Sequence, residues 1–212
     1  RISNIVTNKK KTLAVRFPSH PKARSLLKIL NYPLAAPSAN ISSGVSPVTR
    51  NHVKEEFGKK IKYIIEGGLS KIGLESTIIN LTGKPEILRI GSIDIDKLSE
   101  TLKKKLLYRK KTFMKVPGQN RLHYSPGIPL RMNCNEASLD EAFILVKKRN
   151  NSNKNFFYLC KNKNLKEAAR NLYSVLRIIK KKGYKKIAVE KIENKGIGLA
   201  INDRLQRAST KK

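Results

Sequence analysis

Between Ala36 and Pro47 the chain reads Ala-Pro-Ser38-Ala-Asn40-Ile-Ser42-Ser43-Gly44-Val-Ser46-Pro, four hydroxyls and one amide in a single short stretch. Hydroxyls together with free backbone N–H groups suit the oxygens of a phosphate or a carboxylate. The stretch follows a short apolar run, Pro33 to Pro37, and the ends of strands are where α/β sheets hold ligands. Composition alone favours a serine-rich surface turn. A second polar group, Glu75-Ser76-Thr77, opens the apolar run Ile78-Ile79, with a solvated strand edge as its alternative. Arg16 lies among apolar neighbours just before Pro18, where a guanidinium either pairs an anion or snorkels along its stem. His20, His52 and His123 are scattered and lack acidic companions at ligand spacing, so no protein metal site is expected.

Elements must hold these groups. Residues 12–17 read as a short strand ended by Pro18, and residues 21–30 open with proline and repeat apolar residues at helical spacing. Short strands are expected at 33–37, 63–65, 76–81 and 87–90, with a short helix at 51–57 and another at 95–107. From Thr101 to Lys115 there are seven basic residues and no acid, followed by a Pro/Gly-punctuated stretch to Pro129 that reads as a linker. Beyond it, apolar runs at 142–146, 156–160 and 187–189 alternate with helices from Asn164 and from about Ile197. The helix from Asn164 is the clearest, with Leu165, Ala168, Ala169, Leu172, Val175, Leu176 and Ile179 on one face, an Asn164/Glu167 capping pair and Gly183 past its end. The expected organisation is 1–100, a basic linker over 101–130, and a second α/β unit with a mainly parallel sheet over 131–212.

The chain has 212 residues, with 46 Lys+Arg against 15 Asp+Glu, a formal net charge of +31. That excess points to polyanionic partners without choosing among nucleic acid, nucleotide phosphates and an acidic surface. Lysine supplies 33 of the 46 bases, and solvated lysine needs no partner to be tolerated. The cluster from Lys180 to Lys186 accordingly reads as a solvated helix end, with RNA contact as its alternative. No apolar run approaches the length of a spanning helix, so no membrane partner is expected. Cys134 and Cys160 give neither a disulfide framework nor zinc spacing, which fits a reduced, cytoplasmic setting.

Four segments in order carry a resemblance. They are Thr12-Leu-Ala-Val-Arg16-Phe-Pro-Ser-His20-Pro, Ala36-Pro-Ser38-Ala-Asn40 with Ser46-Pro47, Gly73-Leu-Glu75-Ser76-Thr77-Ile-Ile, and Ile87-Leu-Arg89-Ile-Gly91. Together they resemble the successive motifs of the YrdC-type threonylcarbamoyl-AMP synthases. Pro117-Gly118 through His123-Tyr124-Ser-Pro126, and the tail from Gly196 through Asp203-Arg204 to Arg207, resemble the two-domain form of that family. The fold so implied is α/β: an open twisted-sheet YrdC-like domain, here incomplete, then a linker and a small Rossmann-like α/β domain.

The resemblance implies an ATP-dependent nucleotidyltransferase. L-threonine, bicarbonate or CO2, and ATP would give threonylcarbamoyl-AMP and pyrophosphate, feeding the threonylcarbamoyl transferase machinery that modifies tRNA next to the anticodon. ATP would enter as substrate with Mg2+ on its phosphates. No protein nucleophile is implied, because a carbamate attacking the α-phosphorus needs positioning and charge stabilisation. By motif, Thr12, Ala36, Ser38, Ser46, Arg89 and Tyr124 would contact ATP. Arg16 and Ser76 would hold L-threonine, with Asn40, Thr77 and His123 in support. Two departures are mild: Asn80 stands where an aspartate is usual and Val48 where a threonine is usual. The family's N-terminal threonine strand and Lys-x-Arg segment are not among these residues, and the 212 residues alone are expected to be weak or inactive. The reading from a different class is a basic RNA-binding module on a synthase-like scaffold.

Overall fold

The computed structural model describes residues 2–108, 116, 118 and 123–209. Much of the expected linker, residues 109–115, 117 and 119–122, lies outside the described residues, as do Arg1 and residues 210–212.

The first part of the chain carries helices α1 (Asn4–Thr7), α2 (Pro21–Ile29) and α3 (Arg50–Phe57), with a 3-10 turn at Gly58–Lys60. Strands β1 (Ile78–Asn80) and β2 (Glu86–Arg89), helix α4 (Ile95–Leu102) and strand β3 (Leu107–Tyr108) follow. Pro21 occupies the first turn of α2, where its missing N–H leaves no bond unmade. Thr49 caps α3 by accepting the His52 N–H, and Asp94 caps α4 by accepting from Asp96 and Lys97. β2 lies between β1, antiparallel to it, and β3, parallel to it.

Three expected strands are absent. Residues 12–17, 33–37 and 63–65 form no ladder with any described residue, and Phe17 is fully exposed while Val15 and Tyr63 are more than 70% exposed (75% and 78%). Apolar alternation becomes a strand only when a neighbour takes its N–H and C=O groups. The helix expected over 95–107 ends at Leu102, where Lys103 turns left-handed (φ 50°), and the chain goes on into β3.

The second part is β4 (Leu130–Arg131), β5 (Ala142–Lys147), β6 (Phe156–Cys160), α5 (Leu165–Lys181), β7 (Ile187–Val189) and α6 (Ile197–Ala208). Its four strands are all parallel in the order β4-β7-β5-β6. The 17-residue α5 forms where its capping and periodicity predict: Asn164 Oδ1 accepts the N–H groups of Lys166 and Glu167 at 2.9 and 3.2 Å, and the apolar face is buried. Both helices cover one face of the sheet, against Ile144, Val146, Phe157, Leu159, Ile187 and Val189. The other face, Phe143, Leu145 and Ala188, packs against Cys134, Ala137, Phe156 and Tyr158 without a helix. No described helix is long and apolar enough to cross a membrane.

The two parts share a core. Val45, Val48 and Tyr124 join the cluster formed by α5 and α6, and Ala200 of α6 joins the cluster of Ile87, Ile90 and Leu106. Gly73 marks a close approach between them: a Cβ there would lie 2.5 Å from the Arg170 Cα on α5, and its φ of +77° already favours glycine.

Candidate functional site

The Ala36–Pro47 stretch is held as a loop by its own amide. Asn40 is buried, and its Nδ2 donates to the carbonyls of Ile41 (2.8 Å) and Gly44 (3.3 Å). Glu56 of α3 accepts the Ile41 N–H at 2.8 Å and the Arg177 Nη2 at 2.6 Å, and Arg177 of α5 also donates to the Val45 carbonyl. On its far side, Ser43 accepts the Ser125 N–H at 3.0 Å. The loop is thus clamped between α3, α5 and the last residues of the linker.

The centre of the seam is Glu75. Its carboxylate accepts Ser46 Oγ at 2.6 Å, the Tyr173 hydroxyl at 2.9 and 3.1 Å, and Arg204 Nε at 3.0 Å. Arg204 of α6 is fully buried, and its Nη1 also donates to the Ile90 carbonyl (2.7 Å) and to Asp203 Oδ2 (2.9 Å). Asp203 in turn accepts from Arg207 at 2.9 Å. The Arg204 guanidinium stands 5.4 Å from the Tyr124 ring centroid, Tyr124 stacks on Tyr173 at 5.8 Å, and His123 meets Tyr124 edge-on at 4.0 Å.

Beside this hub, Arg89 Nε donates to the Ser76 carbonyl at 2.9 Å and its Nη2 to Ser76 Oγ at 3.1 Å, a two-pronged hold on one residue. Gly91 lets the end of this strand close on Thr77, since a Cβ there would come within 2.3 Å of the Thr77 N. The Tyr124 hydroxyl, Thr77 Oγ1, His123 Nδ1 and Arg204 Nη2 are buried without a hydrogen-bond partner among the described residues.

Burial works against the Glu75 charge, but Arg204 and the hydrogen bonds from Ser46 and Arg204 outweigh it and hold the carboxyl below its usual range. Burial and the Glu75 charge push Tyr124 up to about 12 and Tyr173 well above the usual tyrosine range. For His123, burial first and then the neighbouring arginines lower the pKa despite Glu75, which favours the neutral ring. Burial lowers the Arg89 pKa too, with Arg204 and Arg16 adding to the effect and Tyr124 and Glu75 opposing it.

Ser46, Ser76, Thr77, Arg89, His123 and Tyr124 are therefore brought to one seam, and Arg16 lies within electrostatic reach of Arg89. Asn40 braces the loop from within. Thr12 is half-buried, Arg16, Ala36 and Ser38 are exposed, and the side chains of Thr12, Arg16 and Ser38 make no hydrogen bond to a described residue. Sequence reading alone missed Tyr173, Arg204 and the role of Glu75 as the hub. A hydroxyl-bearing aromatic on the buried face of α5 and an Asp203-Arg204 pair inside an apolar helix were the available signals.

Four arginines, Arg16, Arg89, Arg204 and Arg207, against Glu75 and Asp203 leave the seam net positive, which suits a carboxylate or phosphate. Among the described residues no cluster of His, Cys, Asp or Glu could hold a metal ion.

Residues 1–91 match the Sua5/YciO/YrdC family model, described as "Telomere recombination", and residues 87–210 match "Threonylcarbamoyl-AMP synthase, C-terminal domain". The chain is 33% identical to the threonylcarbamoyl-AMP synthase of Pyrococcus abyssi, over 98% of this chain and 67% of that protein. It is also 33% identical to that of Schizosaccharomyces pombe, over 99% and 60%. The crystal structure of P. abyssi Sua5 complexed with L-threonine superposes with a TM-score of 0.85 at 31% identity, covering 98% of this chain and 67% of that one. The chain thus spans between 60% and 67% of the length of these relatives.

Proposed function

The chain belongs to the Sua5/YrdC family of threonylcarbamoyl-AMP synthases, and on that premise we propose that the protein forms L-threonylcarbamoyl-AMP and pyrophosphate from L-threonine, bicarbonate or CO2, and ATP. The product would serve threonylcarbamoyl modification of tRNA. The observation that carries this reading is the convergence of Ser46, Ser76 and Arg89 on one net-positive seam, in a fold shared with a relative crystallised with L-threonine.

The residues fit the parts such a reaction needs. Arg16 would pair with the threonine carboxylate, a bidentate contact that lysine cannot copy, and Ser76, its hydroxyl fixed by Arg89, would meet the same substrate. Thr12, Ser38, Ser46 and Arg89 would contact ATP, with the Ala36 backbone lining its site. Tyr124 and His123 would lie over the nucleotide and keep water from the adenylate, for which their burial leaves them suited. The carbamate formed on the threonine amine is a weak nucleophile, so alignment and charge stabilisation would supply most of the rate.

The test is ATP- and threonine-dependent release of pyrophosphate by the intact protein. Arg16→Ala is expected to weaken threonine use by one to two orders of magnitude, on the order of 1.5–3 kcal/mol for a hydrogen bond to a charged group. Pyrophosphate release that ignores threonine, or an Arg16→Ala variant with an unchanged KM for threonine, would sink the assignment.

A further inference from the structure

The inference below deepens the function just proposed and rests on it. A serine hydroxyl has one hydrogen to donate, and Ser46 commits it to a hydrogen bond with Glu75 across 2.6 Å. That hydrogen bond is held in place, because the Glu75 carboxylate is fixed by two further residues. The Tyr173 hydroxyl bonds both oxygens from α5, and Arg204, fully buried on α6, bonds Oε2. Both helices belong to the second unit, 98 and 129 residues further along the chain. Tyr173 is itself buried and stacked on Tyr124, so its hydroxyl direction is set by packing.

We propose that Tyr173 and Arg204 are positioning residues of the nucleotide site: they fix Glu75, which accepts the hydrogen bond of the Ser46 hydroxyl and so leaves the Ser46 oxygen free only to accept. An acceptor-only hydroxyl cannot hydrogen-bond a phosphate oxygen, which is also an acceptor. It bonds a donor, and the donors of ATP are the ribose hydroxyls and the adenine amino group. Ser46 therefore selects the nucleoside half of ATP, and the second unit sets that selection through Glu75.

The experiment titrates the intact protein with ATP and with inorganic tripolyphosphate, for the wild type, Ser46→Ala, Tyr173→Phe and the double variant. Tyr173→Phe keeps the ring and its stacking and removes one oxygen. Each single variant is expected to weaken ATP about five- to tenfold, the scale of one hydrogen bond. Tripolyphosphate and L-threonine affinities should stay within about twofold, and the double variant should bind ATP no worse than Ser46→Ala. Glu75→Gln gives a second route to the same result, since it too should cost nothing further once Ser46 is alanine. A merely structural role for Tyr173 predicts losses that multiply in the double variant, and that outcome overturns the proposal. Equal loss of tripolyphosphate overturns it as well. A wild-type protein that binds no ATP removes the function and this proposal together, whereas ATP binding with multiplying losses removes the proposal alone.

Discussion

Glu75 ties the stability of the protein to pH. Its ordinary pKa of 4.5 is lowered in the folded chain because the Arg204 charge and the hydrogen bonds it accepts outweigh its burial. Its contribution is therefore fully present above pH 4.5 and disappears as the pH falls through the lower folded value. Urea unfolding of Glu75→Gln should show a loss of stability near pH 6 that narrows as the pH drops below 4.5, because the wild-type carboxylate then loses its own charge. A difference from wild type that is flat across that window would mean the carboxylate is not held by Arg204. At this scale Ser46, Ser76 and Arg89 could be singled out because the short ordered segments that resemble the family contain them, and the structure brings all three to the seam. Tyr173 and Arg204 were not. Each sits on a helix face that periodicity assigns to the core, and the group each serves lies about a hundred residues away, beyond anything local spacing records.

Helix α5 is the element on which both parts of the chain converge. Its Asn164 cap, apolar stripe and glycine stop were readable because they depend on neighbours three and four residues apart. Asn164→Ala should cost about 1 kcal/mol, measurable as a lower thermal midpoint, with little effect on the seam. Gly73→Ala acts on the helix at Ala169 and Arg170 and should be far worse, because its Cβ would meet the α5 backbone itself and its φ is positive. Hydrogen exchange in that variant should rise at residues 73–77 and along α5 together. Exchange confined to the turn would show that the two parts do not depend on this contact. The strands expected at 12–17, 33–37 and 63–65 show why extended segments were less legible than helices. A helix satisfies its own backbone, whereas a strand exists only with its neighbour, and apolar alternation says nothing about whether that neighbour is at hand.

Across the whole molecule, the charge of +31 is mostly lysine, whereas the seam depends on a handful of arginines that net charge does not single out. A shared core and a buried ion cluster make the two parts one cooperative body. A single unfolding transition is expected for the wild type, and Arg204→Ala, which strips Glu75 and Asp203 of a common partner, should separate it into two. One transition retained in that variant would locate the coupling in the apolar contacts instead. The sequence distance of this cluster has a further consequence, in time. Hydrogen bonds spanning 98 to 132 residues carry a high loop-closure cost, and they are expected to close late in folding, past its barrier. Substitutions there should leave the refolding rate nearly unchanged and accelerate unfolding, which makes the seam the latch that sets how long the assembled molecule persists once made.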